Sequence, residues 1–203
     1  MILVLAGGYA ALALTGGDTP PPPRLPDSGA TAARIDGVLR PTRGSFAGYR
    51  VRERYLGVGV RTAVGRTGAV TGTVAVVRGR VTAADLTVDM RTLRSDQAQR
   101  DQTLGHRAIE TERFPRARFT LAGPVAISTR PVRAAGTLLL HGRKAPIAVT
   151  LRGRAPAHDR LELVGSAPIR FARFAIEPPS VAGLVTVEDH GVLEFRLILK
   201  ADR

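Results

Sequence analysis

The chain of 203 residues has no cysteine and no tryptophan, and only two lysines, Lys144 and Lys200. The missing cysteine excludes disulfides, thiolate metal sites, a cysteine nucleophile and a lipid-modified cysteine at a processing site, and it leaves the redox compartment open. Aromatic residues make up 4% of the chain, too few for a base-stacking platform. Positive charge is plentiful, at a formal +13, but the arginines are spread along the whole length rather than gathered in a stripe. The reading is therefore no nucleic acid, with an anionic membrane surface as the better use of that charge.

Catalytic signatures are missing as well. There is no G-x-S-x-G, Walker loop or dinucleotide fingerprint. The four histidines, His106, His141, His158 and His190, lie far apart without metal-ligand spacing and read as loop or surface residues. Asp85 and Asp89 fall on the solvent face of one strand, the usual place for charge. No catalytic residue, no metal site and no cofactor are assigned, and the chain is not expected to be an enzyme.

At the N-terminus, the uncharged run Ile2–Leu14, ILVLAGGYAALAL, is shorter than the roughly 20 apolar residues of a spanning helix. No basic residue precedes it. It reads as a signal-like segment, as the end of a single-pass anchor whose start lies upstream, or as an ordinary hydrophobic terminal helix. The Pro20–Pro23 run behind it suits a semi-rigid spacer. The expected organisation is an anchor or signal-like segment over 1–16, a Pro-rich linker over 17–34 and one folded domain over 35–203. That domain would lie outside the cytoplasmic membrane, anchored or secreted.

From residue 49 onward the pattern has period two. In YRVRERY, Arg50, Arg52 and Arg54 face one way and Tyr49, Val51, Glu53 and Tyr55 the other. Val70, Val74 and Val76 share a face; Leu86, Val88 and Met90 oppose Asp85, Thr87 and Asp89. The second half continues with Ala117, Phe119 and Leu121, then Leu138 and Leu140, then Ile147, Val149 and Leu151, then Leu161 and Leu163. It closes with Leu193, Phe195, Leu197 and Leu199. Turns are expected at Gly79-Arg80, Gly142-Arg143-Lys144 and Gly153–Pro156. The fold class is all-β: an antiparallel barrel of about eight strands, its interior either filled by side chains or open for one ligand.

One polar, helix-compatible insert interrupts the strands, from Ser95 to Pro115. Ser95 suits an N-cap, Asp96 the first turn, and Asp96 with Arg100 an i,i+4 pair. Its few apolar residues, Leu93, Leu104, Ile109 and Phe114, need something to cover, so the insert is expected to cap one barrel end, with Asp96, Arg100, Asp101, Leu104 and Phe114 as lid or rim. The inward carboxylate Glu53 is costly alone. It either pairs with an arginine of the insert, Arg100 or Arg107, or meets a ligand head group through a bridging partner.

Four segments in order, S-D-x-x-x-R-D-x-x-L (Ser95–Leu104), E-x-x-x-F-P-x-A-x-F (Glu110–Phe119), G-x-L-x-L-H-G (Gly136–Gly142) and Phe174-Ala-Ile, resemble the YceI-like family of lipocalin-like, polyisoprenoid-binding proteins. The resemblance runs from about Gly48 to Leu199. It implies an elongated apolar channel holding an isoprenoid, an isoprenoid quinone or a similar long-chain amphiphile. The wall positions so implied are Leu86, Val88, Met90, Phe119, Leu121, Leu138, Leu140, Ile147, Val149, Phe171, Leu193, Phe195 and Leu197. Two departures stand out: the run Phe171–Ile176, FARFAI, lacks the family's R-S-D-F-G-I polar residues, and YRVRERY lacks its histidine. The expected partners are a lipid ligand and a membrane surface; dimerisation is compatible with the sequence but not readable from it.

Overall fold

A computed structural model describes residues 19–26, 35–103, 105, 108–181 and 183–201. The N-terminal segment expected over 1–16, part of the linker, and Leu104, His106 and Arg107 lie outside the described residues.

The strands are β1 (Gly37–Pro41), β2 (Phe46–Tyr55), β3 (Gly59–Thr67), β4 (Val70–Val77), β5 (Arg80–Asp89), β6 (Arg116–Leu121), β7 (Val125–Ala126), β8 (Val132–Leu140), β9 (Arg143–Ala157), β10 (Arg160–Arg170), β11 (Ser180–Val181) and β12 (Val185–Ala201). Hydrogen bonding runs β1-β4-β5-β6-β8-β9-β10-β12, and β12 pairs back onto β1, so eight antiparallel strands close a barrel. The edge of β12 that meets β1 through residues 199–201 meets β2 through residues 185–196. The β2–β3 hairpin therefore lengthens the wall at one end, called the upper end below. Among the described residues helical structure is short: α1 covers Ala98–Thr103, with 3-10 turns at Met90–Thr92 and Phe171–Phe174.

Side-chain alternation sets which surface is inside. Val74, Leu161, Leu163, Leu197 and Leu199 are buried in the lower core, and Leu138, Leu140, Ile169 and Phe174 in the upper one. Val81 joins them although it is out of phase with Leu86 and Val88. A bulge explains it: Ala75 pairs with Ala83 but Val76 pairs with Val81, leaving Thr82 as the extra residue.

Three turns differ from expectation. Val77 pairs with Arg80 and Leu140 with Arg143, so the loops are Arg78-Gly79 and His141-Gly142, one residue earlier. Both loop residues have positive φ in each case, 51° and 70°, then 50° and 71°, which is the type I′ geometry that matches strand twist. Gly153–Pro156 is not a turn but part of β9. Gly153 is small because Leu163 packs over it: an added Cβ would stand 2.6 Å from the Leu163 side chain. Pro156 sits at the β9–β10 register shift, where a missing N–H does least harm.

The outer wall is not uniformly wet. Glu194 is 2% exposed and receives Arg50 at 3.2 Å and Arg66 at 2.7 Å. Those arginines also donate to the Pro20 and Pro21 carbonyls, both at 2.7 Å. The described part of the Pro-rich linker is thus laid against β2 and β3 instead of standing away from them. Arg50, one of the outward arginines of YRVRERY, is committed to this site.

Glu162, also on the outer face, is 3% exposed and bound by Arg154 at 2.8 Å and Arg160 at 2.6 Å. Burial pushes its carboxyl up, but the two guanidiniums outweigh that and hold it below the ordinary value of 4.5. A depressed native value means stability that is complete above pH 4.5 and is lost as pH falls through the native value. Denaturant titrations of wild type and Glu162→Gln between neutral and acidic pH should converge as the pH drops through that window; a constant gap between them would contradict the assignment.

Candidate lipid-binding cavity

The barrel is hollow. A cavity of about 290 Å³ runs between the lower and upper cores, lined almost wholly by apolar side chains. All thirteen wall positions implied by the resemblance line it: Leu86, Val88 and Met90 on and after β5, Phe119 and Leu121 on β6, Leu138 and Leu140 on β8, Ile147 and Val149 on β9, Phe171 after β10, and Leu193, Phe195 and Leu197 on β12. Several of these, including Leu86, Val88, Leu121 and Leu193, point inward yet are only partly buried, because they face the cavity rather than one another. The lower end is sealed by Ile35, Leu39, Val76, Leu161 and Leu199, each exposed by 1% or less.

Polar side chains gather at the upper end, where Tyr49, Glu53, Tyr55, Gln97 and Arg100 join the lining. Here the cavity reaches the rim between α1 and the segment before β11, beside the half-buried Gln97, Pro178, Pro179 and Val187. Pro178, Pro179, Val185 and Val187 also line it, although none is among the expected wall positions. Val185 and Val187 keep the inward phase of Leu193, because the register shift between Val187 and Gly191 adds two residues to β12 and so preserves the alternation.

Glu53 resolves into a structural pair. Arg100 Nε donates to Oε1 at 2.9 Å and Nη2 to Oε2 at 3.1 Å, a bidentate fork. The Tyr55 hydroxyl donates to the same carboxylate at 2.7 Å; burial first, and this bond second, push the Tyr55 pKa up to about 12. Arg100 Nη1 also donates to Ser95 Oγ and to Asp96. Burial works against the Arg100 charge, but Glu53 and Asp96 more than offset it, so the guanidinium is held more firmly protonated than usual. Arg100 therefore ties α1 to β2 across the cavity rim.

The other rim residues differ in role. Ser95 does not cap α1, which begins three residues later. Its hydroxyl instead accepts from the Gln97 N–H at 3.2 Å, while its own N–H donates to Asp101 at 2.9 Å, so the insert opens with a side-chain-closed turn. Asp96 and Asp101 lie off the cavity lining. Phe114 is off it as well, packed edge-on to His141 with ring centroids 4.4 Å apart.

His141 is not a surface histidine. Its Nδ1 donates to the Phe174 carbonyl at 2.9 Å, and its Nε2 meets Glu110 Oε2 at 2.8 Å. One ring thus joins the β8–β9 turn, the insert and the turn after β10, which are the three pieces that roof the upper core.

Tyr49 lies opposite Gly65 across the β2–β3 pair. Its ring covers that glycine so closely that an added Cβ would stand 2.3 Å from it. Its buried hydroxyl has no partner among the described residues, and burial pushes its pKa up.

Breaking the Glu53–Arg100 fork leaves a buried carboxylate without its cation, which costs about 3 kcal/mol or more. Arg100→Gln should lose that much stability by chemical denaturation and speed amide exchange in α1. The double variant Glu53→Gln/Arg100→Gln should recover most of it. Equal losses in single and double variants would show that the pair does not fasten the insert.

Several findings place this architecture. No curated protein sequence matches the chain. A polyisoprenoid binding domain from Saccharophagus degradans, described as implicated in plant cell wall breakdown, is similar in fold, with a TM-score of 0.63 at 18% identity over 82% of this chain and 99% of that one. Burkholderia cenocepacia BcnA matches with a TM-score of 0.57 at 16% identity over 75% and 95%. A Campylobacter jejuni YceI protein gives 0.59 at 15% over 68% and 85%. The family model for the YceI-like domain matches residues 41–199, nearly the whole described barrel; the chain belongs to the YceI-like family.

Proposed function

We propose that this protein binds a long-chain amphiphilic lipid of the polyisoprenoid or isoprenoid quinone type in its barrel cavity, outside the cytoplasmic membrane, to carry, store or sequester it. The observation that carries the reading is a hollow, apolar interior sealed below and reaching the rim above. Each CH2 moved from water into such a site contributes about 0.8 kcal/mol, so a hydrocarbon tail needs no special chemistry to bind. At about 290 Å³ the cavity is at the lower end of small-molecule sites, so a longer chain would extend through the upper rim. The likeness to a domain described as polyisoprenoid binding supports the same ligand class.

Binding suits the upper end better than catalysis does. Glu53, Tyr55 and Arg100 satisfy one another and leave no carboxylate poised as a general base. A filled structural barrel is the poorer alternative, since its core would leave no such space. Residues 1–16 would keep the domain at the membrane from which the lipid is drawn.

Native mass spectrometry of protein purified from its own organism, followed by lipid extraction, should yield a copurifying isoprenoid-class amphiphile. Ala84, an inward, partly buried lining residue, offers the matching variant: Ala84→Phe should fill the cavity and cut bound lipid at least tenfold while the protein stays folded. Absence of any extractable amphiphile from the wild type would sink the reading.

A further inference from the structure

The tip of the β2–β3 hairpin carries three of the most exposed large apolar side chains of the described residues: Leu56 at 72%, Val58 at 48% and Val60 at 40%. They stand in the run Leu56-Gly57-Val58-Gly59-Val60, where Gly57 and Gly59 take φ of 74° and 122°. The tight turn thus presents apolar side chains with nothing polar between them. Its backbone is already partly satisfied, because Leu56 N–H donates to the Leu184 carbonyl at 2.9 Å and Val58 N–H to Tyr55 at 3.2 Å. A tip built this way can enter an apolar medium without stranding those donors.

We propose that this tip docks into the interface of an anionic lipid bilayer and sets the upper rim of the cavity against the membrane. Three further observations choose a bilayer as the occupant. Arg54 and Arg61 stand at the collar of the tip, next to Val60 in pairing and in sequence, where they can meet anionic headgroups while the apolar residues insert. The described linker starts on the same side. Thr19 Oγ1 donates to the Thr62 carbonyl at 3.3 Å, and Pro20 and Pro21 then bond Arg50 and Arg66, so the numbering runs away from the tip. The apolar run Ile2–Leu14 ends five residues before Thr19, a reach of at most about 17 Å. Finally, the tip adjoins the polar end of the cavity: Tyr55 and Glu53 on β2 pair with Val185 and Val187 on β12, and all four line it. A lipid leaving a bilayer held there would meet the rim without crossing water.

The inference rests on the membrane-held reading of the previous section but not on the identity of the ligand. The chain has no tryptophan, so L56W in the full-length protein gives a single reporter at the tip. V77W gives its counterpart at a residue 51% exposed in the turn at the opposite end of the barrel. With phosphatidylcholine vesicles containing phosphatidylglycerol, the L56W emission should shift to the blue and be quenched by brominated acyl chains, at least threefold more than that of V77W. Pure phosphatidylcholine or high salt should weaken the effect. Equal quenching at both positions, or none at either while the protein sediments with the vesicles, overturns the tip as the docking surface. Failure to sediment at all overturns the membrane-held reading together with it. If L56W unfolds, V58W takes its place, with the thermal midpoint checked against wild type.

Discussion

The strand β12 is hydrogen-bonded along one edge to β10 and along the other first to β2 and then to β1, and the closed wall depends on this sharing. Eight strands meet no free edge at the lower end, where β1 bridges β12 and β4. At the upper end β2 replaces β1 as the neighbour, and the hairpin continues beyond the top of β10. One long strand thus determines both the sealed floor and the projecting rim. An interior lined by alternating apolar residues follows from closure, because every inward side chain then faces another wall.

Polar fastening completes what closure begins. Three buried carboxylates, Glu53, Glu162 and Glu194, each receive at least one guanidinium, so arginines that look like unspecific positive charge in the composition are partly structural. Glu53 holds the insert, Glu194 gathers β2, β3 and the linker, and Glu162 joins β9 to β10. His141 adds a fourth fastening over the upper core. Their placement keeps the cavity apolar: the charged groups either sit at its rim or lie on the outer face.

Much of this was legible in the sequence. The period-two pattern of Leu86, Val88, Leu138, Leu140, Leu193 and Phe195 identified the inward face because a strand allows only two choices. The Glu53–Arg100 pair could be narrowed to two arginines because an inward carboxylate needs a cation and the insert supplied it. What escaped reading depended on contacts far apart in the chain. Glu194 and Glu162 look like ordinary outward charges until neighbouring strands cover them. Gly153 looks like a turn until Leu163 lies across it. The insert's helix starts at Ala98 rather than directly after Ser95 because Ser95 and Asp101 close a turn locally, a competition that helix propensity alone does not weigh.

The hollow interior also has a volumetric side. Folded proteins resist compression because their cores are close-packed, whereas a cavity of about 290 Å³ is, whenever no ligand fills it, space that unfolding eliminates. Hydrostatic pressure favours whichever state of a protein takes up less room. An empty barrel of this kind is accordingly more sensitive to pressure than one whose interior is filled, so occupancy governs not only what the molecule holds but how it yields when squeezed.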